Sequence, residues 1–319
     1  MYRIILVSQD NYSTRGGKRK GAWHYGKICG KERVQRQMKV KILATGSGGN
    51  CVLIENRILI DAGITVKAFR ENGLEPNGLD ALLITHKHAD HMKTPLVRYL
   101  LGEGVKAFLP ASVIAELTKE GKIDMLPLTA TGQVVPIQDE GAVTYGGMSI
   151  TPYPQKHHDM VNYAFVLEKE GERLLYATDL DTVSATDMGV GLLHLGTFDT
   201  ILLEGNYDED YLRRYIEYMI SLVPEADDPA KASDEDLEKW VRMHYHFLPD
   251  EVARNAFRAI QNRRHLSKQQ ARAYAAEHLK PNGTYYEIHR SSQFYEEPVG
   301  WNDDLIASEL EGFLSNRNY

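Results

Sequence analysis

The residues best equipped for chemistry stand together in Thr85-His86-Lys87-His88-Ala89-Asp90-His91, where three imidazoles and one carboxylate fall within six positions. Imidazole nitrogen ligates Zn, Fe, Ni or Cu, and a neighbouring carboxylate suits Zn, Mn or Fe. His86 and His88 are two residues apart, so on extended backbone they project to the same side. Asp90 and His91 fall on the turn that follows and are placed to face a second ion. Ligand types this dense, directly after an apolar run, point to two neighbouring divalent-metal sites rather than to a solvated loop.

That apolar run is Ala81-Leu82-Leu83-Ile84, which reads as a buried strand. The cluster therefore sits on the loop leaving the strand's carboxyl end, where α/β sheets place their chemistry. Upstream, strands are predicted over 40–43, 51–54 and 58–61. The turn Gly46-Ser47-Gly48-Gly49-Asn50 lacks the Lys-Ser/Thr of a phosphate-cradling loop, so it reads as a tight hairpin turn, and Cys51 as a small buried apolar residue. Downstream, helices over 66–72, 95–101 and 111–119 alternate with a strand over 105–109, the pattern of a layered α/β domain. Later strands are expected over 149–153, 163–168, 173–176, 200–204 and 284–288, with helices over 211–222 and 268–278, the latter capped by Ser267. Polar residues stand at several of these strand ends: His157 and His158, Asp179 with Asp181 nearby, Glu204, and His289, while His265 precedes Ser267. Their types alone leave choices open, since Asp179 also reads as a helix N-cap.

At 319 residues and 43% hydrophobic content the chain can bury one large core or two ordinary ones. No apolar run is long enough to span a bilayer, and two cysteines make no disulfide framework, which points to a reducing cytoplasm. Net charge is −7, yet residues 1–37 hold nine Lys/Arg against two Asp/Glu, leaving −14 on residues 38–319. An acidic body argues against a broad non-specific nucleic-acid surface. The basic segment reads either as a nucleic-acid arm or as an upstream extension, and the second is favoured because Met38 opens a natural domain start. The expected organisation is thus a basic extension over 1–37, a domain over 38–292 and a tail over 293–319. An acidic surface insertion over about 222–246 carries His244 and His246, read as surface or substrate-facing residues.

The motif T-H-K-H-A-D-H resembles the metal-binding motif of the metallo-β-lactamase superfamily. Within it, G-S-G-G-N-C, L-I-D-A-G, A-T-D and H-L-S have counterparts in the YycJ-like branch, so the resemblance covers roughly residues 38–292. It implies an α/β fold, the four-layer αββα sandwich, with two divalent ions, Zn or Mn, and Fe as a further option. One ion would be held by His86, His88 and His158, the other by Asp90, His91 and His289, with Asp179 bridging and Asp61 bracing the loop. His158 is preferred to His157 because the branch has Asp after this histidine; His157 is left as a supporting or substrate-facing residue. His-Leu-Ser is also similar to the Gly-His-Ser-Thr of tRNase Z, which implies a Glu204–His265 proton-donating pair. Tyr207 departs from the Glu-x-Asn-His-Asp of relatives. The implied activity is that of a dinuclear hydrolase, a phosphodiesterase with a nuclease favoured, attacking with hydroxide shared by the ions. Asp90, His265 and Glu204 would be its catalytic residues and a phosphodiester, nucleic acid included, its substrate. The alternatives are a thioester or other small-ester hydrolase, or an oxygen-using iron enzyme, of the same fold.

Overall fold

Most strands of this chain are apolar on both faces of the pleat, so each sheet has to be covered twice, and that requirement dictates the layering. The computed structural model describes residues 3–6, 37–121, 123–213, 239, 243 and 264–291. A seven-stranded sheet runs in the order β1 (Arg3–Leu6), β13 (Leu279–Ile288), β12 (Phe198–Glu204), β11 (Glu172–Ala177), β10 (Met160–Lys169), β9 (Met148–His157) and β8 (Val143–Tyr145). A six-stranded sheet runs β2 (Val40–Ala44), β3 (Cys51–Ile54), β4 (Ile58–Ile60), β5 (Ala81–Leu83), β6 (Lys106–Leu109) and β7 (Val134–Pro136).

Alternation along single strands sorts residues between layers. Val52, Ile54, Ile58, Ile60 and Leu83 turn toward the other sheet, meeting Ile150, Phe165, Leu174 and Tyr176 in a core between the sheets. Leu53, Leu59 and Leu82 turn the opposite way and pack under helices α1 (Val66–Glu71), α2 (Thr94–Gly102) and α3 (Ala111–Lys119). On the far side, Val166, Leu175, Ile201 and Leu203 pack against α5 (Lys268–His278) through Ala271, Tyr274 and Ala275. The result is the αββα sandwich. Caps anchor the helices: Thr65 Oγ1 accepts from Ala68 N at 3.1 Å, and Ser267 forms a reciprocal capping box with Gln270.

Strand and helix positions follow the sequence reading closely, except that β13 begins at Leu279 where 284 was expected, and with three further differences. Helix α4 (Met125–Ala130) was not expected. Residues 3–6, within the segment set apart as an extension, pair in parallel with β13 as an edge strand, Arg3 opposite Thr284. Strand β9, expected over 149–153, continues to His157. Pro152 and Pro154 argue against a strand there because proline cannot donate to the ladder. The hairpin to β10 nevertheless keeps them in register, opposite Phe165 and Tyr163, and turns over His158-Asp159. The insertion, His244 and His246, the tail and most of the 211–222 helix lie outside the described residues. Among the described residues, no helix is long and apolar enough to cross a membrane.

Candidate metal centre

Carboxyl ends of parallel and hairpin strands from both sheets meet at one edge, and each delivers a polar side chain there. Strand β4 leads to Asp61, β5 leads through Thr85 to His86, β9 ends at His157, β11 leads to Asp179, β12 ends at Glu204 and β13 leads to His289. Asp61, Asp179 and His289, together with His158 in the β9–β10 turn, have φ between 54° and 61°. Left-handed backbone is uncommon for non-glycine residues, and its recurrence at strand ends is a mark of functional sites.

Two groups of ligand atoms result. In the first, His86, His88 and His157 bring a nitrogen each within 4.8 Å of one another. His86 Nε2 and His88 Nδ1 lie 2.9 Å apart. In the second, Asp90, His91, Asp179 and His289 converge within the same limit. Asp179 joins the two: its Oδ2 is 3.5 Å from His86 Nε2 and 2.5 Å from His91 Nε2, and its Oδ1 is 3.4 Å from His289 Nδ1. A third group adds Glu204 and His265 to Asp179 and His289.

Of the pair expected from sequence, the structure brings His157, not His158, to His86 and His88. His157 is the last residue of β9 and is buried, past the point where buried Gln155 breaks the strand's alternation, whereas His158 lies in the turn. His158 instead belongs with His157 and His265, and its N–H donates to Asp181 Oδ1 at 2.8 Å. Asp181 is thus a brace of that turn and joins none of the ligand groups.

Supporting contacts fix how the ligands face. Asp61, fully buried, accepts from Thr85 N–H and Thr85 Oγ1, both at 2.9 Å, and from Tyr176 OH at 3.1 Å, and lies 2.8 Å from His91 Nδ1. A proton on His91 Nδ1 then directs Nε2 into the site. Asn50, which closes the glycine turn, places Nδ2 2.9 Å from His91 Nε2 and 3.4 Å from Asp90 Oδ2. Its backbone N–H donates to Asp90 O at 2.6 Å. Gly63 is obligatory because a Cβ there would lie 1.7 Å from Asp90 O. Asn206 donates to His289 O at 2.9 Å. The sequence assigns no role of this kind to Asn50, Asn206 or Tyr176; the signal for Asn50 is a polar residue just before a buried strand.

Electrostatics differ between the groups. Burial lowers His86 and His88, and takes His157 down to about 3, so the first group presents neutral imidazoles with lone pairs available. Burial would also lower His289 and His265, but carboxylates prevail: Asp179 above all raises His289 to about 9, and Glu204 above all raises His265 to about 10. Burial would raise Glu204, yet His265 holds it at about 2.

The donor set fits divalent ions. Its atoms are imidazole nitrogen and carboxylate oxygen; His157 Nδ1 and His289 Nε2 are buried without a hydrogen-bond partner, and a proton or cation has to lie between His91 Nε2 and Asp179 Oδ2.

Residues 56–268 match the beta-lactamase superfamily domain, and the chain belongs to that family. It is 28% identical over 184 residues to the exodeoxyribonuclease WalJ of Streptococcus pneumoniae, covering 55% of this chain and 65% of that protein. It is 26% identical over 182 residues to the exodeoxyribonuclease YycJ of Bacillus anthracis, covering 54% and 64%. The chain therefore spans just under two thirds of the length of these relatives. Its fold is similar to that of the metallo-beta-lactamase fold protein YhfI from Bacillus subtilis, with TM-score 0.49 and 16% identity over 86% of this chain and 92% of that one.

Proposed function

We propose that the chain is a dinuclear metal-dependent phosphodiesterase acting as a nuclease, with His86, His88 and His157 on one ion, Asp90, His91 and His289 on the other, and Asp179 shared. The observation that carries this reading is the Glu204–His265 pair beside the ligand groups. Two divalent ions would supply Lewis acidity toward phosphoryl oxygens and activation of water. A phosphodiester also expels a poor alkoxide, which needs a proton. His265 Nδ1 lies 3.0 Å from Glu204 Oε2 and 3.2 Å from Asp179 Oδ1, leaving Nε2 to face the leaving oxygen. Glu204 is held in turn by the N–H groups of Leu180 at 2.6 Å and Leu266 at 3.2 Å. His265 is 13% exposed while Glu204 is fully buried, so the acid reaches solvent and its partner does not. Glu204 above all raises the pKa of His265, which favours the charged state a general acid requires. The names of the two exodeoxyribonuclease relatives support the same class. Hydrolysis of bis(p-nitrophenyl) phosphate with added Mn or Zn tests it: wild type turns over, and Asp90→Ala does not. Equal rates for the two proteins overturn it.

A further inference from the structure

Beside His88 a cavity of about 700 Å³ opens to solvent, within the range of ligand sites. Its lining is divided by charge. Lys67, Lys87 and Lys93 line it together with His88, and Glu116 and Glu120 also border it. In a body carrying −14 over residues 38–319, three lysines on one cavity run against the average. Among the described residues, Lys87 and Lys93 pair with no carboxylate. Lys93 Nζ instead donates to Gly48 O at 3.3 Å, which ties it to the glycine turn that ends at Asn50. Lys67 lies 3.7 Å from Glu71, but both side chains are largely exposed, so that pair offers little competition. Glu120 accepts from Thr94 Oγ1 at 3.1 Å. Val66 and Pro95 add apolar surface.

Resting on the phosphodiesterase reading, we propose that Lys67, Lys87 and Lys93 form a track for the phosphates flanking the scissile one, and that its occupant is one strand of a polynucleotide. The track begins where the ligand loop does, since Lys87 lies between His86 and His88 in the chain. A small phosphate ester would engage the ligand groups alone. A polynucleotide extends from them into the cavity, its phosphates on the ammonium groups and its bases on the apolar surface. Ammonium groups contribute here as point charges, so binding by the track is indifferent to base sequence and sensitive to salt.

The test uses the metal-loaded full chain, a short fluorescein-labelled single-stranded oligonucleotide and bis(p-nitrophenyl) phosphate. For Lys87→Ala/Lys93→Ala, KM for the oligonucleotide rises about tenfold or more, while kcat and hydrolysis of the small diester stay at wild-type values. The slope of log affinity against log salt becomes shallower by about 0.7 for each lysine removed. Lys67→Ala, on α1 and away from the ligand loop, gives the same change at smaller size. Equal losses on both substrates overturn the track, as does an unchanged salt slope. If wild type hydrolyses neither substrate, the phosphodiesterase reading fails by itself. Fluorescence anisotropy with the same oligonucleotide then decides the track: weaker binding by the lysine variants upholds it, and unchanged binding overturns it.

Discussion

Asp61 belongs to none of the ligand groups, yet it decides which nitrogen of His91 faces the site. In Asp61→Asn the amide oxygen replaces the carboxylate oxygen that accepts from Thr85 N–H and Thr85 Oγ1. The NH2 group then faces His91 Nδ1 and Tyr176 OH, which lie 2.8 and 3.1 Å from the other oxygen. His91 Nδ1 becomes an acceptor, its proton moves to Nε2, and the lone pair aimed into the site is lost. Removing such a support costs about 10- to 100-fold in metal affinity, about 1.4–2.7 kcal/mol. The φ of 61° at this position is tolerated by Asn, so the fold survives. Asp61→Ala behaves differently. It strands Thr85 N–H and Tyr176 OH in the interior, and at about 1–3 kcal/mol for each buried donor left unsatisfied the loss is about 2–6 kcal/mol, a large part of an ordinary domain's stability. Competition with a chromophoric chelator measures the first effect, and urea unfolding in EDTA the second. An asparagine variant that binds metal as tightly as wild type, or an alanine variant no less stable than the asparagine one, refutes the reasoning.

His157→Ala should weaken metal binding by about 100-fold or more while His158→Ala leaves it within a few-fold, both read by chelator competition. For His265→Ala, the rate on a nucleotide diester should fall by about 10²–10⁴, and on bis(p-nitrophenyl) phosphate by less, because p-nitrophenolate leaves without a proton. Gly63→Ala should destabilise the fold by more than about 3 kcal/mol and abolish metal binding, since its Cβ would overlap Asp90 O; calorimetry and metal analysis read the two effects. Burial would raise the Glu55 carboxyl, but its hydrogen bond from Lys169 at 2.7 Å outweighs that and holds it below the usual range. An acid depressed in the folded state contributes above its unfolded pKa and loses that contribution as pH falls through the folded one. Lys169→Met should therefore cost under about 1 kcal/mol at pH 7 and nothing once Glu55 is protonated, as urea titrations at both pH values would report.

What the chain's linear order determined was the dense ligand loop after a buried strand, the apolar runs that demand two covered sheets, and the acids and histidines waiting at strand ends. Those features are local: a strand of Ala81-Leu82-Leu83 is apolar whatever it packs on, and Ser267 caps the helix beginning at Lys268 through contacts three residues away. Only the tertiary structure brings His157 rather than His158 to His86 and His88, because that depends on how far β9 stays paired with β10, and two prolines in that strand obscured it. The partners of Asn50 and Tyr176 were likewise illegible. His91 and Asp61 lie 41 and 115 residues away, and a hydrogen bond over such a separation leaves no periodicity in the sequence. The lysine-lined cavity has the same origin: Lys67 and Lys93 become neighbours of one space only when α1 and the ligand loop pack over the six-stranded sheet.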